Sequence, residues 1–348
     1  MNKNEVLLGS LRLKSDPETL ERFAEALERG SLYRAYEVLK EAGTTSDFPI
    51  LMGNAANRVL LDAYRSVPDD WRKIVRPGDM RDFREKELIR VSEAEDLEEV
   101  REYEEVKDST LSESREKTKL AVYARKFKIS WQTVVNDDLG FIRDQPARFG
   151  RAAARLINRL VFQGILQANP TMADGLPLFH ASRGNLGSEP LSETALQNAI
   201  TALRRMKDDS GAEIQVFTKP PKLVVPPELE WTARKLVGST LVPQTSIGGQ
   251  ILADINTLRG VAEVVVTPFL TDPNDWYLVA DPTDLPCIEV SFLRMIGDQP
   301  QLFVKRNEWQ FVGGGAAGIE QFDHEYMVRH VTTAKAFDWR GVYKSQVA

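Results

Sequence analysis

Glu93-Ala-Glu-Asp-Leu-Glu-Glu-Val-Arg-Glu-Tyr-Glu-Glu-Val-Lys-Asp108 sets nine acids against two bases, and the stretch Arg115 to Lys128 reverses the sign, with six bases against Glu116 alone. The acidic run cannot be core, because ionised groups are buried only when paired. Within the basic run Phe127, Ile129 and Trp131 alternate with Lys126, Lys128 and Ser130, the two-residue period of a strand with one exposed face. Upstream, Leu120, Val122 and Ala124 alternate in the opposite phase, so a bulge or twist near Arg125 is expected. Arg81 to Trp131 thus reads as a long, mostly antiparallel hairpin with one acidic and one basic limb. A hairpin alone in water is marginally stable, so it should rest on another surface, that of a neighbouring subunit.

Working outward, the next segment is a helix expected from Pro146 to Asn169. Phe149, Ala152, Ala153, Leu156, Ile157, Leu160, Val161 and Ile165 form its apolar stripe, and Arg148, Arg151, Arg155, Asn158, Arg159 and Gln163 fall outside it. Pro146 suits a first turn and Pro170 stops the helix. At 1.5 Å per residue the helix is about 36 Å long, enough to be the spine of a domain. On the N-terminal side, two short helices are expected between Asp16 and Ala42, interrupted at Gly30, then a break from Gly43 to Pro49. A further helix follows with Ala56, Val59, Leu60, Ala63 and Tyr64 on one face, ending before Pro68.

On the C-terminal side, Ser192 is a helix N-cap with Leu191 and Leu196 placed as a hydrophobic staple, and Ile200, Leu203 and Met206 continue the stripe. Lys222 to Pro226 reads as a buried strand running into a helix near Glu228 to Leu236. Further strands are expected at Ala262–Thr267, Trp276–Ala280, Ile288–Phe292, Gln301–Lys305 and His324–Phe337. The fold class is α+β.

Bulk properties narrow the function. The 348 residues are 42% apolar and 28% charged, the make-up of a folded globular chain. A net charge of −6 argues against a partner recognised through phosphate neutralisation. Cys287 is the only cysteine, which rules out an intrachain disulfide or a cysteine-rich zinc site. No leader peptide or long apolar span is read, so a cytoplasm-like compartment without membrane contact is expected.

No reaction centre stands out. Asp174, His180 and Ser182 share one glycine-bounded loop, but a triad is normally assembled from distant segments, and a Gly-x-Ser-x-Gly elbow is lacking. His324 and His330, six residues apart on an expected strand, would lie about 20 Å apart, too far to share an ion. Gly313 to Gly318 lacks the ending of a phosphate loop. Asn136-Asp-Asp138 reads as capping residues. No catalytic, cofactor-binding or metal residue is assigned, and no cofactor is expected.

Taken in order along the chain stand the helical N-terminal piece, Thr44-Thr-Ser-Asp-Phe-Pro49, the charged hairpin, Val135-Asn-Asp-Asp-Leu-Gly140, Phe149-Gly-Arg-Ala-Ala-Ala-Arg155, Ala173-Asp-Gly-x-x-Leu-Phe-His180 with Gly184-Asn-Leu186, and finally Val328-Arg-His330 with Asp338-Trp-Arg-Gly-x-Tyr343. Together they resemble a tailed-phage major capsid protein of the Hong Kong 97-type fold, in its Mu-like and protease-fused branches, over roughly Thr44 to Lys344. The resemblance implies a helical N-terminal segment at 1–43, an N-arm and first P-domain elements at 44–80, and an extended E-loop at 81–131. It further implies a P-domain with its spine helix at 132–190, an A-domain at 191–300, and P-domain strands returning to the A-domain at 301–348. Residues 1–43 would be either a scaffolding segment removed on maturation or an arm clasping neighbours. Some members link subunits through Lys and Asn side chains; no motif assigns such residues here.

The function implied is a shell subunit, assembling with copies of itself as hexamers and pentamers in the host cytoplasm and ending in the virion. Its partners would be a portal, scaffold or cement proteins, and packaged double-stranded DNA held without sequence specificity. Glu98, Glu99, Glu102, Glu104 and Glu105 of one copy would face Arg148, Arg151 and Arg155 of its neighbour. A nanocompartment shell around enzyme cargo is the alternative, and a hydrolase using the His180 loop a remote one.

Overall fold

The computed structural model describes residues 16–28, 32–41, 48–91, 113–129, 139–207, 211, 214, 218–245, 251–305 and 324–347. The acidic run, Asn136–Asp138 and the glycine run 313–318 lie outside them. The chain divides into two compact units, one built from Met1–Pro68, Val122–Arg155 and Asp298–Val331, the other from Asp69–Ala121, Leu156–Gly297 and Thr332–Ala348.

In the first unit, α1 (Pro17–Glu28) and α2 (Leu32–Glu41) pack together and bury Phe23, Ala26 and Ala35. Asp16 caps α1, accepting the Thr19 N–H at 2.8 Å. Helix α3 (Phe48–Arg65) starts one residue before Pro49. Proline is tolerated in a first turn, whose N–H groups have no helical acceptor, so the break expected through Pro49 ends earlier. Ala56, Leu60, Ala63 and Tyr64 are buried as their spacing requires. Strand β4 (Ala121–Ile129) pairs with β13 (His324–Ala336), which also pairs antiparallel with β12 (Gln301–Val304). Phe127 of β4 stacks between Phe149 and Tyr326, each ring 5.1 Å away.

The long helix departs from expectation at both ends. It begins at Leu139 and carries Pro146 in its interior, runs as α4 to Asn158, and continues from Arg159 to Gln167 with π-helical bonding. The widened i→i+5 turns bring neighbouring pairs inward. Val161 and Phe162 are buried, as are Ile165 and Leu166, whereas a strict 3.6-residue period selects only Val161 and Ile165. Ala152 is exposed and Asn158 buried, the reverse of their expected sides. The helix still stops before Pro170, with Asn169 left-handed at φ 51°.

In the second unit, β1 (Arg76–Met80) pairs in parallel with β11 (Ile288–Leu293), and β11 pairs antiparallel with the last residues of β13. A separate five-stranded sheet has the order β5 (Leu186–Gly187), β14 (Val342–Ser345), β10 (Trp276–Val279), β6 (Lys222–Val225), β9 (Glu263–Val266). Helices α5 (Glu193–Arg204) and α6 (Glu230–Gly238) close its core, in which Leu196, Leu203, Leu223, Ala233, Trp276 and Leu278 are fully enclosed. Ser192 caps α5 through the Ala195 N–H at 3.2 Å, and Leu191 and Leu196 are both buried beside it. A two-stranded ribbon, β7 (Leu241–Thr245) with β8 (Ile251–Ile255), completes the unit.

Candidate functional site: the root of the charged hairpin

Strands β2 (Lys86–Val91) and β3 (Glu113–Thr118) pair antiparallel from Lys86↔Thr118 to Val91↔Glu113. The expected basic limb does not continue through them. Lys119 and Leu120 interrupt it, and β4 leaves to pair with β13, with Val122 and Ala124 exposed rather than facing inward. Both phases fall within β4, where Ala121, Tyr123 and Phe127 are the less exposed positions and Val122 and Ala124 face outward, so a single period of two accounts for its described side chains.

The period of two gives the hairpin root two chemically distinct faces. Outward, Arg115 pairs with Glu87 at 3.2 Å and Glu113 at 3.1 Å, and Lys117 with Glu85 at 3.6 Å. All are exposed, so they fix register more than they stabilise. Inward, Leu88, Arg90, Glu116 and Thr118 are buried. Glu116 accepts the Ala173 N–H and pairs with Lys335 at 3.3 Å. Arg90 lies 3.9 Å from Asp338, which also holds Arg340 at 2.8 Å, and Arg90 and Arg183 each lie over the Trp339 ring at 5.7 and 5.2 Å.

Lys86 reaches Glu289 of β11 at 2.7 Å, and Arg76 of β1 reaches the same carboxylate at 2.6 Å. Ser291 donates to it at 2.7 Å. Burial pushes the Glu289 carboxyl up, but hydrogen bonds from Lys86, Ser291 and Arg76 outweigh that and hold it below the usual carboxylate range. Gly78 makes room for this arrangement, since a Cβ there would lie 2.3 Å from Glu289 Oε1. The root is thus tied to its own unit by three buried carboxylates: Glu116, Glu289 and Asp338.

None of the three tie carboxylates was given a structural role from the sequence, although Glu116 and Asp338 lie in stretches singled out there. The available signals were a glutamate inside the apolar strand Ile288-Glu-Val290, the lone acid Glu116 in a basic run, and the acid–base pair of Asp338-Trp-Arg340. Of the expected contact residues, Arg148, Arg151 and Arg155 are exposed on α4, on the face opposite buried Ala153, Ala154 and Ile157. Among the described residues none of the three forms an ion pair. Glu98, Glu99, Glu102, Glu104 and Glu105 lie outside the described residues.

The His180 loop is a stapled turn. His180 Nδ1 accepts the Ser182 N–H at 3.2 Å and lies 2.6 Å from its hydroxyl. Asn185 Oδ1 accepts the His180 N–H at 2.9 Å, and Gly184 takes a left-handed φ of 68°. Asp174 is engaged by Arg183 and by the Leu176 N–H, not by His180. A triad would need that acid on the imidazole. His330 is buried in the first unit, 3.2 Å from the Asp298 carbonyl that also accepts the Tyr64 hydroxyl at 2.7 Å. The side chain of His324 lies outside the described residues. Among those residues no group of three or more His, Cys, Asp or Glu is placed to hold a metal ion, and no helix is long and apolar enough to cross a membrane.

The profile of a family described as phage capsid protein matches residues 114–345, two-thirds of the chain, and this protein belongs to that family. Its α+β architecture is similar to that of solved shell proteins at low sequence identity. A virus-like particle from Pyrococcus furiosus matches with TM-score 0.45 and 13% identity, over 84% of this chain and 98% of that one. A protein of Mycobacterium phage Patience matches with TM-score 0.48 and 11% identity, over 86% and 88%. The holo-SrpI encapsulin of Synechococcus elongatus PCC 7942 matches with TM-score 0.44 and 10% identity, over 81% and 88%. No curated protein matches the sequence.

Proposed function

We propose that this capsid-family protein is the major head subunit of a tailed phage, of the Hong Kong 97 type, whose copies close into an icosahedral shell around double-stranded DNA. The family match over residues 114–345 carries this reading. The hairpin adds to it: the root is tied to the body by buried charges, while the run beyond Val91 carries acids in large excess. That run, including Glu98, Glu99, Glu102, Glu104 and Glu105, lies across a neighbouring copy and meets Arg148, Arg151 and Arg155. Residues 81–131 act as the E-loop, 132–190 and 301–348 supply the P-domain, and 191–300 the A-domain. Many copies of a modest contact then sum to a stable container. The net charge of −6 suits packaged DNA, held without specificity, that must later slide out.

Negative-stain electron microscopy of the purified chain tests the reading, with closed particles as the expected result and a monomer at high concentration as the result that ends it. Deleting Glu93 to Asp108 should leave soluble, folded subunits that do not close. Nuclease-protected double-stranded DNA inside particles recovered from phage-producing cells separates a genome container from an enzyme container.

A further inference from the structure

Asp174-Gly175 is the only step in the 348 residues at which an aspartate or asparagine precedes glycine. It forms the tip of a small turn, closed by the Thr171↔Pro177 bridge and by the Met172 N–H, which donates to the Leu176 carbonyl at 2.9 Å. Gly175 takes a left-handed φ of 82°, and a Cβ there would meet nothing within 4 Å, so the step is uncrowded. The Asp174 side chain is 44% exposed, which lets water reach it.

An aspartate before an uncrowded glycine can close on itself, because nucleophile and carboxyl belong to adjacent residues. The Gly175 nitrogen attacks Cγ of the protonated Asp174 carboxyl, an N–Cγ bond forms, and the carboxyl hydroxyl leaves with the amide proton as water. One water then opens the five-membered imide. Breaking the new N–Cγ bond restores aspartate. Breaking the bond between nitrogen and the Asp174 main-chain carbonyl leaves isoaspartate, with the chain rerouted through Cγ. Water is released once and consumed once, so neither oxidant nor partner is required.

The native contacts oppose each part of this. Oδ1 accepts the Leu176 N–H at 3.0 Å and Oδ2 is engaged by Arg183, so the carboxylate is held by both oxygens. The Gly175 N–H donates to the Met172 carbonyl at 3.0 Å, a bond that must break before the amide gives up its proton. Arg183 is itself pinned: its side chain is 4% exposed, donates to the Met172 thioether at 2.9 Å and lies over the Trp339 ring at 5.2 Å. Among the described residues Asp174 is its only ion-pair partner.

We propose that Asp174-Gly175 is the ageing site of this chain, a point of spontaneous isomerisation that Arg183, as a positioning residue, holds shut in the folded subunit. Isoaspartate shifts the carboxylate along the chain and takes it off Arg183, leaving a buried cation without its counter-charge. The neighbouring Ala173 N–H is the one that Glu116 accepts, so the disturbance passes through one peptide to the hairpin root.

The test incubates the full chain in heavy-oxygen water at neutral pH. Each imide opening adds one labelled oxygen, which mass spectrometry reads in the proteolytic fragment containing Asp174, and electron-transfer fragmentation counts isoaspartate there. Labelling should be at least tenfold slower in the native wild type than in the same chain held unfolded in urea. Equal rates, or no labelling in urea, overturn the proposal. Arg183→Gln, shown to be folded by circular dichroism, should raise the native rate at least fivefold, and Arg183→Lys, which restores a cation, should return it toward wild type. A wild-type rate in Arg183→Gln, or equal acceleration in both variants, overturns the part given to Arg183. The wild type supplies a check that needs no variant: guanidinium N–H exchange of Arg183 should be slow in fresh protein and fast in a fraction isomerised in urea and refolded, and equal exchange in the two overturns the clasp.

Discussion

Gly150 shows how a single position can fix a helix crossing. A Cβ there would sit 2.2 Å from the Leu60 carbonyl oxygen, and backbone cannot swing aside as a side-chain tip can. Gly150→Ala should therefore destabilise the subunit by about 1–3 kcal/mol, the range for overpacking, measured by urea unfolding of unassembled protein. His330 carries a different expectation. Burial holds its folded-state pKa below the ordinary 6.5, opposed more weakly by the Asp298 carbonyl, so the native ring is neutral. The unfolded chain takes up the proton first. Stability supported by the neutral ring is complete above about pH 6.5 and is lost as pH falls from there through the folded pKa. Unfolding free energy should thus drop between pH 7 and pH 5 more steeply in the wild type than in His330→Phe, and equal slopes would refute this account.

The hairpin root depends on buried ion pairs that only make sense together. Glu289→Gln leaves Lys86 and Arg76 without their carboxylate; both retain partial access to water, so the loss should be about 1–3 kcal/mol rather than the larger cost of a fully buried orphan. Limited proteolysis near Lys86 and Lys117 should speed up in the same variant, and an unchanged rate would argue against the tie. Much at this level was legible in the sequence. Alternation located β4, apolar runs located β6 and β9 to β13, and the N-cap at Ser192 and the stop at Pro170 were readable from single residues. What escaped was pairing. Period two cannot tell whether β4 continues the hairpin or joins β13, because either choice gives the same local pattern. A 3.6-residue template likewise misses Phe162 and Leu166, whose burial follows from π-type bonding. Charges on strands looked like solvent faces because burial of an ion pair is decided by distant partners.

For the molecule as a shell subunit, the exposed arginines of α4 and the acidic run at 93–108 are the electrostatic test. Arg148→Glu, Arg151→Glu and Arg155→Glu combined should leave the free subunit folded, since all three are exposed, and reduce closed particles sharply. Particle yield of the wild type should also fall as salt rises from about 0.1 to 1 M, where the Debye length shrinks from ~10 to ~3 Å. Salt-independent assembly would point to apolar contacts alone.

The parallel pairing of β1 with β11 also bears on when the subunit becomes competent. Arg76 and Lys86 meet their shared carboxylate 213 and 203 residues later in the chain. At about 5–20 residues per second of synthesis, the anchoring strand leaves the ribosome ~10–40 s after the hairpin strands do. During that interval the hairpin root lacks its tie to Glu289. Translation order thus leaves the hairpin strands unanchored until β11 has emerged.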